Sequence, residues 1–273
     1  MNEDSTKKKL RVAASSYSNT APLVWEFWHG ARQNEVDFTT DAAPSRCAEM
    51  LRTHQAEIAL TPVIEYQRID GTIIIPNVCV ASTRKVRSVV LVTKGEDLRN
   101  AKTVALDVSS KTSVALTQTI FREFYGREPE YIPHSPNIEE MLNETDAALL
   151  IGDPALNVDA NKFRVFDIVE TWREFTNHGF VFAFWLANEN FTEQARQIDF
   201  AKARDEGLTK INEIIEFYKD EVSLSQADFR TYLTENIAYT LDDDLLKGLN
   251  LFYELAHKNK VIERRKPLKF SSF

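Results

Sequence analysis

An alternation of short apolar runs and amphipathic stretches near the start of the chain constrains the fold more than any other feature. Residues 10–14 and 36–40 are predicted to be strands, separated by a helix over residues 22–29. A second predicted helix over residues 45–54 leads to a short buried strand at residues 58–60. Strands that are joined through helices form parallel sheets with crossover connections. The pattern therefore predicts an α/β fold.

A second α/β set follows a polar connection at residues 94–100. It begins with the apolar run 104–106 and continues with a helix predicted over residues 113–125. The fully apolar run 147–151 is typical of a strand that is buried on both faces. The end of the chain is predicted to be helical, with residues 191–220 forming one long amphipathic stretch. Two α/β sets followed by terminal helices indicate two lobes, and clefts between lobes commonly bind small ligands.

Charge and cysteine content exclude several classes of function. The 33 basic and 41 acidic side chains give a net charge of -8, which disfavours nucleic acid as a partner. The two cysteines, Cys47 and Cys79, lack the Cys/His spacing of a zinc site, and no cluster of His, Asp and Glu indicates another metal. No Gly-rich phosphate-binding loop is present, so we expect neither a metal nor a cofactor.

The hydropathy of the chain predicts no association with membranes. No apolar run approaches the roughly 20 residues that a membrane-spanning helix requires. Residues 1–9 are polar and contain three lysines, without the apolar core and small-residue cleavage site of a secretory signal. We therefore expect a cytoplasmic protein.

The first predicted strand and helix are joined by a segment rich in hydroxyl and amide side chains. This segment includes Ser16, Tyr17 and Asn19 and ends at Pro22, a residue type that suits the first turn of a helix. Backbone N–H groups at a helix start can bind an anion, whereas Ser and Asn at such positions also form ordinary turn and capping bonds. One such segment leaves both interpretations open.

Residues 107–113 repeat this design at the start of the second α/β set. The hydroxyl groups of Ser109, Ser110, Thr112 and Ser113 lie between a predicted strand and a predicted helix. Two hydroxyl-rich turns, one at the start of each lobe, favour a ligand with two anionic groups, and plain helix capping is the alternative.

Conventional catalytic residues are scarce in this sequence. No serine is flanked as in a nucleophile elbow. His134 and His178 lie in predicted loops, where either could exchange a proton. Asp153 follows a predicted buried strand, either at the edge of the sheet where α/β proteins bind ligands or as an ordinary turn aspartate. Ser88 opens another predicted strand, and its hydroxyl faces either the cleft or solvent.

Several segments taken together resemble one enzyme family. The string Ser-Tyr-Ser-Asn-Thr-Ala-Pro-Leu at residues 16–23 is similar to the N-terminal signature of chorismate dehydratases, the first enzymes of the futalosine route to menaquinone. Further similar segments follow in the order expected for that family, at residues 74–76, 86–89, 107–113, 150–156 and 180–185. The resemblance extends from residue 11 to about residue 262.

The resemblance implies a type II periplasmic-binding-protein-like fold, in which two α/β lobes flank a central cleft and the chain crosses twice between them. We therefore expect residues 1–93 and 179–273 to form lobe one, which includes the added C-terminal helices. Residues 94–178 are expected to form lobe two.

The resemblance also implies a substrate and a reaction. Chorismate would lose water to give 3-[(1-carboxyvinyl)oxy]benzoate, with the substrate's own enolpyruvyl carboxylate as the base, which agrees with the scarcity of catalytic side chains. Asn19 and Ser88 match the family positions that engage the substrate, and they are the expected catalytic residues. The residues expected to bind the two carboxylates and the ring are Ser16, Tyr17, Ser109, Ser110, Thr112, Ser113, Gly152 and Asp153.

Two other functions remain open from the sequence. A sister enzyme of the same fold makes 1,4-dihydroxy-6-naphthoate later in the pathway, but its signature lacks the Ser-Tyr-x-Asn-Thr-Ala-Pro string. A non-catalytic binding module for a small dicarboxylate would be expected to carry a secretory signal or a lipid anchor. The oligomeric state does not follow from the sequence.

One segment departs from the family pattern. At residues 176–179 the chain has Thr-Asn-His-Gly, where the family often has Thr-Gly-Leu-Pro. The departure leaves two outcomes for His178, which either changes the behaviour of the hinge or lies at the cleft.

Overall fold

The computed structural model describes residues 9–41 and 43–271, which form two five-stranded sheets. Residues 1–8, on which the prediction about a secretory signal depends, lie outside the described residues. The strands, in chain order, are β1 (Arg11–Ser15), β2 (Asp37–Asp41), β3 (Ile58–Pro62), β4 (Thr72–Ser82), β5 (Val89–Thr93), β6 (Thr103–Asp107), β7 (Glu130–His134), β8 (Ala147–Ile151), β9 (Arg164–Asp167) and β10 (Phe180–Asn188).

Helices connect and cover these sheets. In chain order they are α1 (Ala21–Trp28), α2 (Pro44–Arg52), α3 (Val63–Tyr66), α4 (Thr112–Thr119), α5 (Ile138–Glu144), α6 (Gly152–Leu156), α7 (Ile168–Thr176), α8 (Thr192–Ala195), α9 (Phe200–Leu208), α10 (Ile211–Tyr218), α11 (Gln226–Thr231) and α12 (Asp243–Lys258). Two π-helical turns, Ile120–Phe124 and Tyr232–Asn236, extend α4 and α11. Within the described part of the chain, no helix combines the length and apolar character needed to cross a membrane.

Each sheet combines a parallel set with one strand that runs against its neighbours. The first sheet has the order β2-β1-β3-β10-β4, in which β1 is parallel to β2 and β3, and β10 is antiparallel to β3 and β4. The second has the order β7-β6-β8-β5-β9, in which β6 is parallel to β7 and β8, and β5 is antiparallel to β8 and β9. The antiparallel strands are the two that follow a crossing of the chain between sheets. This architecture confirms the predicted two-lobed α/β fold.

The first crossing lies earlier in the chain than we predicted. We expected residues 89–93 in lobe one, but β5 pairs with β8 and β9 and therefore belongs to the second sheet. The sheet boundary consequently falls within residues 83–88 rather than after residue 93. The β-branched composition of β5 predicts a buried strand, but it does not specify which sheet the strand joins.

The region 191–220 contains three short helices, which corrects the prediction of one long amphipathic stretch. Asp199 interrupts the helical run, because its side chain accepts a hydrogen bond of 2.9 Å from the Lys202 N–H and so caps α9. A second break separates α9 from α10. The apolar pattern continues across these breaks because α9 and α10 pack against α1, while α8 packs against β10.

Aromatic side chains pack behind the second crossing. Trp172 of α7 precedes this crossing and Phe180 of β10 follows it, and their ring centroids lie 5.5 Å apart. Phe252 of α12 packs on Phe180 at a centroid distance of 5.0 Å, and all three side chains are buried. Because α12 also contacts α4 of the second lobe, the C-terminal helix supports both lobes at their junction.

Candidate functional site

The carboxyl ends of β1, β6 and β8 lead into the junction between the two sheets, where a cavity lies. Its apolar wall includes Leu60 and Phe182 from the first lobe and Val89 and Ile151 from the second. Hydroxyl, phenol and amide side chains from the turns after β1 and β6 form the remaining wall. The edge at which parallel strands end is the usual ligand site of open α/β sheets.

Six of the predicted site residues line this cavity, and four do not. The lining residues are Tyr17, Asn19, Ser110, Thr112, Ser113 and Gly152. The other four, which lie outside the lining, are Ser16, Ser88, Ser109 and Asp153. The structure thus brings the two hydroxyl-rich turns together from opposite lobes, and the binding roles of their residues stay predictions.

Asp153 forms a buried contact with the opposite lobe. The main-chain N–H of Ser18 donates to its carboxylate at 3.1 Å, and the Ser18 hydroxyl donates to the same group. Burial raises the pKa of Asp153 to about 6, although both hydrogen bonds from Ser18 act in the opposite direction. Ser18 is therefore an important residue that the sequence did not distinguish from the other hydroxyls around it.

Three further polar contacts join the lobes at the same place. The Thr112 hydroxyl accepts a hydrogen bond of 3.3 Å from the main-chain N–H of Ile64. The Tyr17 hydroxyl donates to the Ser109 hydroxyl at 3.4 Å, and the Ser109 carbonyl accepts from the Ser45 N–H at 3.3 Å. The cleft is therefore closed, and residues predicted to bind ligand form part of the closure.

Gly152 lies directly against Tyr17. Its φ of +65° falls in the left-handed region, and its N–H donates to the Ser88 carbonyl at 2.8 Å. A Cβ atom at this position would lie 2.6 Å from the Tyr17 ring. Only glycine satisfies both the backbone conformation and the close approach of the ring.

Part of the second hydroxyl-rich turn does serve to cap α4. The Ser110 hydroxyl accepts from the Ser113 N–H at 3.1 Å. The buried carboxylate of Asp107 accepts from the N–H groups of Ser109 at 2.9 Å and Ile151 at 3.2 Å, and burial is the main reason that its pKa is raised. Capping and ligand binding are therefore compatible in this turn, because Ser110 and Ser113 also line the cavity.

Ser88 is completely buried, which differs from both positions that the sequence left open. Its hydroxyl has the Val86 carbonyl as an acceptor at the long distance of 3.4 Å. The preceding Arg87 has a φ of +62°, a conformation that is uncommon for a residue with a side chain. The carboxylate of Asp167 supports this conformation, since it accepts from the N–H groups of Val86 at 3.0 Å and Arg87 at 2.6 Å.

Tyr232 is a buried tyrosine whose electrostatic neighbours include Ser88 and Asn19, two of the predicted site residues. It lies in the π-helical turn after α11, its side chain is fully buried, and its hydroxyl has no hydrogen-bond partner within normal geometry. Burial raises the pKa of this phenol above its ordinary value, whereas nearby Ser88 and Asn19 side chains lower it. In the sequence Tyr232 has only the apolar spacing of a core position, so no signal connected it to the site.

His178 does not line the cavity. Its Nδ1 lies 2.7 Å from Oδ1 of Asp244 at the start of α12, and Oδ2 of the same carboxylate accepts from the Gly179 N–H at 2.9 Å. This hydrogen bond to His178 is the main reason that the pKa of Asp244 is lowered. His178 therefore ties the second crossing to α12 and lies outside the cavity lining, and an effect on the hinge stays a prediction.

The cavity offers an anion neutral donors rather than charges. Among the described residues that line it, none carries an ionised side chain. The available donors are hydroxyl groups, the Asn19 amide and the helix starts of α1 and α4, where backbone N–H groups favour negative charge. Across residues 9–41 and 43–271, no group of three or more His, Cys, Asp and Glu side chains is arranged to hold a metal ion.

Comparison with known families identifies the group to which this chain is related. A family model described as menaquinone biosynthesis matches residues 10–258. The chain belongs to the menaquinone biosynthesis family. Membership confirms the family resemblance predicted from the segments at residues 16–23 and beyond. It supports a role in this pathway and indicates an enzyme that acts on a small molecule.

Several solved structures have a fold similar to that of this chain. Protein AF1704 from Archaeoglobus fulgidus is 17% identical, with 93% of this chain and 98% of that chain covered and a TM-score of 0.77. The CA3427 product of Candida albicans, described as having the generic periplasmic binding protein fold, is 12% identical over 97% of this chain and 98% of that chain, with a TM-score of 0.64. The aliphatic sulphonate binding protein SsuA of Escherichia coli is 14% identical over 97% and 94%, also with a TM-score of 0.64. These likenesses confirm the periplasmic-binding-protein-like fold.

Proposed function

We propose that this protein is a chorismate dehydratase, a carbon–oxygen lyase that converts chorismate into 3-[(1-carboxyvinyl)oxy]benzoate and water. The observation that carries the proposal is the cavity itself. Uncharged donors from two opposed helix starts face an apolar wall, in a chain of the menaquinone biosynthesis family. The proposal keeps the predicted cytoplasmic location, and it requires neither a cofactor nor a metal.

The chemistry of the cavity lining suits this substrate. Chorismate has a six-membered ring with a carboxylate at one side and an enolpyruvyl carboxylate at the other. The turn after β1, with Tyr17 and Asn19, and the turn before α4, with Ser110 and Thr112, each provide donors for one anionic group. The side chains of Leu60 and Phe182 supply apolar contact for the ring between them.

The reaction removes a proton from C3 and the hydroxyl group from C4. The electron pair of the C3–H bond becomes the C3=C4 π bond, the C4–O bond breaks, and the hydroxyl leaves with a proton as water. Aromatic stabilisation of the ring drives the elimination. The absence of an ionised side chain from the described cavity lining supports the substrate's own enolpyruvyl carboxylate as the base.

The contribution of the protein would then be orientation and hydrogen bonding. Holding the enolpyruvyl carboxylate over C3 turns proton removal into an intramolecular step, and well-oriented groups of this kind react far faster than separate molecules. The Asn19 amide faces the cavity and can donate to the departing hydroxyl or to a carboxylate. Ser88 lies behind the wall and would act on the substrate after a small movement of the crossing at residues 83–88.

The direct test is to incubate the purified protein with chorismate and to follow the aromatic product by ultraviolet absorbance and mass spectrometry. We expect a product that is lighter than chorismate by one water, formed in proportion to enzyme concentration. Chorismate without protein is the control, because it decomposes slowly on its own.

Two outcomes would contradict the proposal. Tight binding of chorismate with no aromatic product would favour the binding-module alternative. Neither binding nor turnover of chorismate would favour another step of the pathway, including the sister 1,4-dihydroxy-6-naphthoate synthase activity.

A further inference from the structure

The contact between Asp153 and Ser18 joins the two lobes at the turn that carries Asn19. The Ser18 N–H donates to both carboxylate oxygens of Asp153, at 3.1 and 3.3 Å, and the Ser18 hydroxyl donates to one of them. Ser18 has 0% relative exposure and Asp153 has 7%. Because Asp153 lies in α6, which packs on the second sheet, these groups meet only when the lobes are together.

A ligand in the cavity would leave this contact in place. Ser18 lies between Tyr17 and Asn19 in the chain, and both of these neighbours line the cavity. Neither Ser18 nor Asp153 belongs to the lining. Asp153 therefore holds the turn from behind the wall, on the side away from a bound ligand.

The turn carries the position of Ser18 to the Asn19 amide. The Thr20 N–H donates to the Tyr17 carbonyl at 2.9 Å, and the Ala21 N–H donates to the Ser18 carbonyl at 3.2 Å, so the turn is one hydrogen-bonded unit. Asn19 Oδ1 accepts from the Thr20 hydroxyl at 3.2 Å. With the amide oxygen held on the protein side, Nδ2 is the end of Asn19 that can donate to a ligand.

We propose that Asp153 is a positioning residue, which places the Asn19 amide when the cleft closes and does not itself touch the substrate. The inference rests on the proposed function of the cavity and specifies how closure and catalysis are coupled. The amide would reach its working position only after the lobes have enclosed the substrate. A role outside substrate binding also agrees with charge, because the carboxylates of Asp153 and of the substrate would repel each other.

The kinetic test compares Asp153→Ala with Ser18→Ala in chorismate turnover. Asp153→Ala removes all acceptors, whereas Ser18→Ala removes one donor and keeps the carboxylate. We expect kcat to fall roughly 30- to 100-fold in Asp153→Ala and about 3- to 10-fold in Ser18→Ala, because a displaced amide acts mainly on the transition state. KM should be unchanged or lower in both, since no contact with the ligand is lost. Asp153→Asn keeps one acceptor oxygen, so its loss should be smaller than that of Asp153→Ala.

Asp146 provides a matched control in the same lobe. Its carboxylate also accepts from main-chain N–H groups, those of Lys102 at 2.8 Å and Thr103 at 3.1 Å, but it is exposed and lies outside the cavity lining. Asp146→Ala should therefore leave kcat and KM unchanged. Thermal melts establish that each variant is folded, and Ser18→Ala carries the comparison if Asp153→Ala does not fold.

Three kinetic results would overturn the inference. A raised KM with normal kcat in Asp153→Ala would mean that Asp153 binds the substrate. A normal kcat in both Asp153→Ala and Ser18→Ala would mean that their contact positions nothing. If Asp153 acts through Asn19, adding Asp153→Ala to Asn19→Ala should cost no further activity, so additive losses would also contradict it.

A second readout does not depend on turnover. Spin labels at Gln55→Cys in the first lobe and Glu140→Cys in the second measure the distance between the lobes by double electron–electron resonance, because both positions are exposed and both native cysteines are buried. Without ligand, Asp153→Ala should shift the distances to longer values, and Asp146→Ala should not. An unchanged distribution in Asp153→Ala would refute the coupling to closure. A protein that does not convert chorismate would refute the proposed function and still show this shift.

Discussion

Ser18 of the first lobe donates both its main-chain N–H and its hydroxyl to the carboxylate of Asp153 in the second lobe. Both side chains are buried, so this pair joins the lobes away from solvent. Two effects act in opposite directions on the pKa of Asp153, because burial favours the neutral form of the carboxyl group and the two donors favour its charged form. Burial is the larger effect.

The stability of the protein should therefore depend on pH through Asp153. Its folded pKa of about 6 lies above the value of an unfolded chain, so its contribution to stability is complete at low pH and is lost as pH rises through about 6. We predict that the free energy of unfolding falls by about 1 kcal/mol more in the unchanged protein than in Asp153→Asn between about pH 5 and pH 7. Urea unfolding at both pH values measures this difference. Equal pH dependence in the two proteins would contradict it.

Ser18→Ala tests the other half of the pair. Loss of the hydroxyl donor should raise the pKa of Asp153 further and shift the pH window upward, because burial then acts against one hydrogen bond instead of two. At about pH 7 the variant should be less stable by about 1.5–3 kcal/mol, as for other lost hydrogen bonds to charged groups. The same urea titrations provide the measurement, and a window that moves downward would be inconsistent with this account.

Gly152→Ala should damage both stability and turnover. The left-handed backbone alone costs about 1–2 kcal/mol for a residue with a Cβ, and the added atom would meet the Tyr17 ring at 2.6 Å. Gly71→Ala is the matched control, because Gly71 has a similar φ of +63° and open space around its Cβ position. We expect Gly71→Ala to show the backbone cost alone and normal chorismate turnover, and Gly152→Ala to lose at least about tenfold in kcat/KM. Similar turnover in both variants would exclude a role for the contact with Tyr17.

Asp167 connects the first crossing of the chain to the start of α7. One carboxylate oxygen accepts from the Val86 and Arg87 N–H groups of the first crossing, and the other accepts from the Val169 and Glu170 N–H groups at the start of α7. Asp167→Ala would leave buried donors unpaired, so we predict a loss of about 3 kcal/mol in the free energy of unfolding.

An ordinary helix cap provides the comparison for Asp167. Asp199 caps only α9, through the Lys202 N–H, so Asp199→Ala should cost about 1 kcal/mol. Urea unfolding at about pH 7 compares the two variants. A loss in Asp167→Ala no larger than that of Asp199→Ala would mean that the connection between the first crossing and α7 contributes nothing to stability.

Asn19→Ala should separate catalysis from folding. The Asn19 side chain is half-buried, and its described hydrogen bond, from the Thr20 hydroxyl, is long at 3.2 Å. We expect a stability change of less than about 1 kcal/mol and a fall in kcat of about 100-fold or more, as for the removal of one donor from an oxyanion site. Steady-state kinetics with chorismate and a thermal melt measure the two effects, and near-normal turnover would remove Asn19 from the mechanism.

His178→Ala serves as the contrasting variant. The hydrogen bond between His178 and Asp244 is partly exposed and lies outside the cavity lining, so its removal should change chorismate turnover less than about twofold. A large loss of activity would show that the tie between the second crossing and α12 controls the cleft.

The strand–turn–helix units that form the site could be predicted from local sequence. Pro22 at the start of α1 and the hydroxyls before α4 are local signals, because caps and turns depend on near neighbours in the chain. Because the carboxyl ends of parallel strands meet at one edge of a sheet, these units could also be predicted to face the ligand site.

The features that the sequence did not reveal depend on contacts between distant segments. The membership of β5 in the second sheet depends on pairing with β8, which lies more than 50 residues later. Ser18 and Asp153 lie 135 residues apart in the chain, and the residues around Ser18 resemble an ordinary turn. Hydrophobic periodicity reports that a side chain is buried, not which polar groups it meets there.

The closed cleft has a consequence for ligand affinity. The Tyr17 hydroxyl, which would donate to a substrate carboxylate, already donates to the Ser109 hydroxyl of the other lobe, and the Thr112 hydroxyl is held by the Ile64 N–H, from which it accepts. The contacts that close the cleft thus use groups that a bound ligand would also need. A ligand can enter only those molecules whose cleft is open. The apparent dissociation constant therefore equals that of the open form divided by the fraction of molecules that are open. Each polar contact that stabilises the closed cleft then weakens ligand binding.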